Sequence, residues 1–120
     1  MVHTPIALSA STLIGDDVQN SKGEKLGAIE EIMLDLTAGR VLYAVLSFGG
    51  FLGIGDKLFA IPWEALTIDT ENEIVLFDID KEVLEDAPGF DKDDWPATAP
   101  DDDTWLVSVY EYYHYDPYWR

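Results

Sequence analysis

Leu26-Gly-Ala-Ile-Glu-Glu-Ile-Met-Leu-Asp-Leu36, Thr37-Ala-Gly-Arg40 and Val41-Leu-Tyr-Ala-Val-Leu-Ser-Phe48 decide how this chain folds. In the first stretch Leu26, Ala28, Ile32, Leu34 and Leu36 share one parity, while Glu31 and Asp35 take the other. That two-residue period predicts a strand with one covered face. Glu30 falls on the apolar parity, which marks a bulge or a bend. Thr37-Ala-Gly-Arg40 has the composition of a turn. Val41 to Phe48 is apolar on both parities, so this strand needs cover on both faces.

Upstream, Asn20-Ser-Lys-Gly-Glu24 reads as a hairpin turn. Ser9 to Ile14 reads as one helical turn, with Ser9 as N-cap and Gly15 as stop. Downstream, Gly49 to Gly55 is a glycine-rich loop, and Lys57 to Ile61 is a short strand closed by Pro62. Ala65 to Asp69 and Glu73 to Ile79 pair around Glu71-Asn72. Lys81 to Asp86 reads as a short helix with Asp80 as N-cap. Strands this short, joined by turns this tight, predict an all-β fold: a small six-stranded antiparallel barrel with short helical segments.

The 120 residues carry 24 Asp and Glu against 7 Lys and Arg, a formal net charge of −17. That balance argues against nucleic acid, whose affinity comes mainly from Lys and Arg, and against anionic membrane surfaces. Hydrophobic residues at 48 % are enough for a packed core, so the chain is not expected to be disordered. The absence of cysteine removes disulfides, thiolate metal sites and cysteine nucleophiles. The N-terminal residues do not read as a signal peptide, and no apolar run reaches the length of a membrane span. A soluble, cytoplasmic protein is expected.

Four of the six prolines lie after residue 87, and Pro88-Gly89 marks a break. The chain is therefore divided into a unit over residues 1–87 and an acidic, aromatic extension over 88–120. Asp91-Lys-Asp-Asp-Trp95 and Asp101-Asp-Asp103 are solvated acidic runs. Trp105, Leu106, Val109, Tyr110 and Tyr113 fit helical spacing behind Asp103 as cap. A strand is the alternative, because Val, Tyr and Trp favour strands. So many aromatic rings are expected to dock, on the unit before them or on a partner subunit.

The order and spacing of several segments resemble the PRC-barrel family. They are Leu13-Ile-Gly-Asp-Asp-Val18, Gly23-Glu-Lys-Leu-Gly27, Ile29 to Asp35, Gly39-Arg-Val-Leu-Tyr-Ala-Val-Leu-Ser-Phe-Gly-Gly50 and Gly53-Ile-Gly-Asp-Lys-Leu-Phe-Ala-Ile-Pro-Trp63. The likeness spans roughly residues 8–80, and the end of the chain resembles stand-alone bacterial members. Related domains occur in the photosynthetic reaction-centre H subunit and in a ribosome maturation factor, neither of whose roles transfers to this chain. The resemblance implies a six-stranded barrel acting as an adaptor or assembly module, without catalytic activity or cofactor.

Other chemistry is poorly supported. Gly50-Phe-Leu-Gly-Ile-Gly55 does not match a phosphate-binding loop. Glu30 and Glu31 point to opposite faces of a strand, and Asp78 and Asp80 read as a solvated carboxylate and a helix cap. Asp91 opens a run like a calcium loop, but Pro96 stands where its glycine belongs. His3 and His114 have no ligand-spaced partners, so neither a metal centre nor a serine triad is expected. Arg40 is expected to pair with Asp35 or Asp56. Phe51, Leu52 and Ile54 are large apolar residues on a loop, and with Trp105, Tyr110 and Tyr113 they are the candidate partner-binding residues. The expected partner is a second copy, giving a homodimer, or another protein. The rival reading is a small-ligand or carbohydrate binder stacking on Trp105, Tyr110, Tyr112, Tyr113, Tyr115, Tyr118 and Trp119.

Overall fold

The computed structural model of the chain describes residues 4–48, 57–96 and 102–120. Its strands are β1 (Asp17–Gln19), β2 (Lys25–Asp35), β3 (Arg40–Phe48), β4 (Lys57–Pro62), β5 (Leu66–Asp69), β6 (Ile74–Phe77) and β7 (Phe90–Asp91). Its helices are α1 (Ala10–Leu13), α2 (Lys81–Glu85) and α3 (Thr104–Tyr112), with a 3-10 turn at Trp63–Ala65. None of the described helices is long and apolar enough to cross a membrane.

The strands form one sheet in the order β5-β6-β1-β2-β3-β4-β7. This corrects the six-stranded antiparallel barrel. Among the described residues there are seven strands, β1 and β6 run parallel, and the end strands β5 and β7 do not pair to close a barrel. The reason is that hairpin signals reveal only neighbours along the chain. The β1–β6 pair, with Asp17 opposite Ile74 and Gln19 opposite Leu76, has no turn of its own to announce it. The seventh strand is a two-residue addition, in which Phe90 lies opposite Leu58.

The parallel pair is fixed by the 20–24 turn. Asn20 is buried, and its side-chain oxygen accepts from the amides of Lys22 (3.1 Å) and Glu24 (3.0 Å). Its side-chain nitrogen donates to the Ile79 carbonyl at 3.1 Å and the Glu24 carboxylate at 2.9 Å. Ser21 donates to Asp78 at 2.7 Å, and Lys22 pairs with Asp80 at 3.1 Å. One turn thus ties the exit of β1 to the exit of β6. Asp80 stands at the N-cap of α2 but makes no side-chain capping bond, because Lys22 holds it. Ser9 likewise makes no side-chain capping bond to α1.

The β2–β3 hairpin forms as its pattern predicts, closed by Asp35, whose carboxylate accepts from the Thr37 and Ala38 amides at 3.0 and 3.1 Å. The register shifts between Ile29 and Glu31, so Glu30 does sit at an irregularity. A second shift follows Met33. These shifts break the two-residue period. Ile32 and Met33 both pack against the core, whereas Leu34 and Leu36, on the apolar parity, are exposed. In β3 every residue from Tyr43 to Phe48 is buried, and Leu58 to Pro62 of β4 are buried beside them. Val18, Val75, Leu84 and Val109 complete the centre.

Gly27 lets β2 come this close to β3. Its φ is +151°, and a Cβ built there would overlap the Ser47 carbonyl. Gly27→Ala is therefore expected to destabilise the fold by about 3 kcal/mol or more, through backbone strain and displacement of β3. Urea unfolding of the two forms measures the difference; an unchanged midpoint would refute this account of the β2–β3 contact.

Candidate functional site

α3 is the helix that the spacing of Trp105, Val109 and Tyr113 anticipates. It turns Val109, Tyr110 and Tyr113 inward, while Trp105 and Leu106 are half-buried against the core. Its cap differs from expectation. Asp103 occupies the N-cap without a side-chain capping bond, and the Thr104 amide donates to Asp102 instead at 3.0 Å. The Asp103 carboxylate faces residues 119 and 120. Arg120 donates to both of its oxygens, at 3.0 and 2.9 Å, and the Trp119 indole donates at 2.8 Å. The Arg120 fork, then the indole, lower the Asp103 pKa to about 2.

A second set of contacts joins this segment to the β2–β3 hairpin. The Tyr110 hydroxyl donates to the Leu42 carbonyl at 2.6 Å and lies 3.3 Å from Glu64. Arg40 pairs with Glu64 at 2.8 Å, not with Asp35 as expected; Asp56 lies outside the described residues. The Arg40 guanidinium instead lies 3.7 Å from the centre of the Tyr118 ring, a cation–π contact. The Tyr118 hydroxyl donates to Asp35 at 2.6 Å. Burial first, then the Asp35 contact, push the Tyr118 pKa up to about 12. The same hydrogen bond, followed by the Ala38 amide, lowers that of Asp35.

The aromatic rings pack on one another and on the sheet. Trp119 meets Tyr110 edge-on at 5.0 Å, and Trp105 meets Tyr43 at 5.7 Å and Phe90 at 6.1 Å. Phe77 meets Tyr113 at 5.5 Å, and the Tyr112 hydroxyl donates to the Val83 carbonyl at 2.7 Å. All seven rings of the suggested stacking platform are buried or half-buried. Among the candidate partner-binding residues, Tyr110 and Tyr113 are buried by their own chain and Trp105 is half-buried; Phe51, Leu52 and Ile54 lie outside the described residues. The three tail aromatics thus pack at different points, Trp105 on Tyr43 and Phe90, Tyr110 on Tyr118 and Trp119, and Tyr113 on Phe77.

A groove of about 380 Å³ is lined by Lys25, Leu26, Gly27, Ala28, Ser47, Phe48 and Lys81. Those described lining residues include no carboxylate and no imidazole to serve as an acid or a base. Asp78 and Asp80 are taken up by Ser21 and Lys22. His114 is exposed, with φ of +65°, and His3 lies outside the described residues. The surface feature that periodicity hid is the pair Leu34 and Leu36, exposed because the hairpin runs on past the packed part of the sheet.

A family model for the PRC-barrel domain matches residues 5–84, two-thirds of the chain. No curated protein matches it.

Two buried tyrosines of α3 predict opposite outcomes. Tyr110→Phe removes a hydroxyl and leaves the Leu42 carbonyl without its side-chain donor, and is expected to cost about 1–2 kcal/mol. The Tyr113 hydroxyl is buried without a hydrogen-bond partner among the described residues. Tyr113→Phe is therefore expected to leave stability unchanged or raise it by roughly 1 kcal/mol. Thermal unfolding of both variants tests the contrast, and equal losses would contradict it. The Asp103 clasp carries a pH signature. Its folded pKa lies below the unfolded value, so its contribution is full above about pH 4 and fades as the pH falls towards 2. The tryptophan fluorescence of the native protein should change as the pH passes about 2, and in Asp103→Asn that component should be absent.

Proposed function

Because the chain belongs to the PRC-barrel family, we propose that it is a non-catalytic interaction and assembly module that works as a homodimer. Family membership carries the reading, since such domains mediate protein contacts. The sequence supports it with Phe51, Leu52 and Ile54, three large apolar residues in a glycine-rich stretch where a solvated loop would be polar. These are the proposed contacts between copies. Trp105, Tyr110 and Tyr113 have a different part in the proposal. They hold the extension over residues 88–120 against the unit over 1–87, so that both act as one body. The Tyr110–Leu42 and Tyr118–Asp35 bonds support docking within the same chain.

Light scattering across a dilution series tests the assembly. The wild-type protein should show twice its 13.4 kDa chain mass. Phe51→Ser combined with Leu52→Ser should return it to the chain mass, with its circular dichroism retained. A wild-type monomer at every concentration would overturn the homodimer. An unchanged dimer in the double variant would remove the loop as its interface.

A further inference from the structure

At the tip of the β2–β3 hairpin, Leu34 is 61 % exposed and Leu36 is 88 % exposed. Both belong to the apolar alternation of β2, yet they stand in water beside a turn, where polar residues are the rule. Val41, opposite Leu34 in the ladder, is half-buried and extends the apolar strip. Glu30 and Glu31 are exposed further back on β2, and Asp35 lies between the two leucines. Arg40, the cation beside the tip, is already committed to Glu64 and to the Tyr118 ring. The tip is thus an apolar point with an acidic rim, on a chain of net charge −17.

Building on the assembly-module reading, we propose that this tip is the docking surface for a cationic amphipathic segment of another protein. Charge complementarity selects that occupant. A second copy meeting tip to tip would set the carboxylates of one tip directly against those of the other. A segment with apolar residues along one side and Lys or Arg along the other satisfies both parts of the surface. Its apolar side covers Leu34 and Leu36, and the cations flanking that side reach round the strand to the exposed Glu30 and Glu31. The field of the whole chain draws such a segment in and repels acidic competitors.

The test uses a fluorescein-labelled helical peptide of Leu and Lys, about 14 residues long, with its leucines on one face. Its anisotropy is followed at about 0.15 M salt, where distant charges are screened. A control peptide of equal charge carries Ser in place of Leu. Leu34→Ser combined with Leu36→Ser leaves the protein's charge unchanged, so only the apolar part of binding is removed. It should weaken the Leu/Lys peptide roughly tenfold or more, with the weak binding of the control peptide unaltered. Leu36→Lys, at the most exposed position, should also weaken it. Equal affinity of wild type and both variants for the Leu/Lys peptide overturns the proposal. So does a fall in wild-type mass caused by Leu34→Ser and Leu36→Ser, since the tip would then join two copies. A monomeric wild type that still binds through the tip overturns the homodimer alone.

Discussion

Strand β3 buries six consecutive side chains, Tyr43 to Phe48, and so leaves neither of its faces for water. A single sheet can cover one face of such a strand by curling over it. The other face needs material from elsewhere. α3 supplies part of that cover, with Trp105 edge-on to Tyr43 and the Tyr110 hydroxyl on the Leu42 carbonyl. Each large apolar side chain taken fully out of water contributes roughly 1.5–3 kcal/mol, far more than any one of the surface contacts. The position of the C-terminal helix is therefore dictated by a strand far earlier in the chain. The aromatic residues of the tail are core residues that arrive late in sequence.

Electrostatics works in the opposite direction. Among the described residues, ion pairs link Lys22 to Asp80, Lys25 to Asp17, Arg40 to Glu64 and Arg120 to Asp103. Exposed pairs of this kind contribute about 0–1 kcal/mol each, and most carboxylates have no cation at all. Self-repulsion of so acidic a chain favours expansion. Packing around β3 has to outweigh it, which explains why tyrosine and tryptophan hydroxyl and indole groups are spent on anchoring carboxylates and carbonyls. The Tyr118 hydroxyl satisfies Asp35 without an ion pair, and the Trp119 indole adds to the Arg120 pair on Asp103.

What periodicity and turn chemistry could reveal, they revealed. The β2–β3 hairpin, the Asn20 turn, the short helix after Asp80 and the helical spacing of Trp105 to Tyr113 are all visible in the residues themselves. The failures share one cause. The parallel β1–β6 pair, the Arg40–Glu64 bridge and the open sheet order are set by partners distant in sequence. Leu34 and Leu36 share the parity of the covered face yet stand exposed, because a strand's alternation says which face a residue takes, not where its neighbouring strands stop. Asp80 and Asp103 hold the cap positions that their residue type suggests. In both, a cation takes the carboxylate that would have capped the helix.

The central place of β1 has a consequence for how the protein is made. β1 is an early segment to leave the ribosome, yet one of its two neighbours, β6, ends at Phe77, and the Asn20 clasp waits for Ile79. The nascent chain must therefore hold an unfinished strand edge while residues 20–77 are synthesised. Contacts that join distant segments form slowly, and exposed strand edges invite mispairing during that interval. Asp16, Asp17 and Glu24 flank this edge with Lys22 and Lys25 beside them, and the Lys25–Asp17 pair at 3.3 Å needs only β2 to form. β2 secures one side of β1 first, while the other side waits for β6.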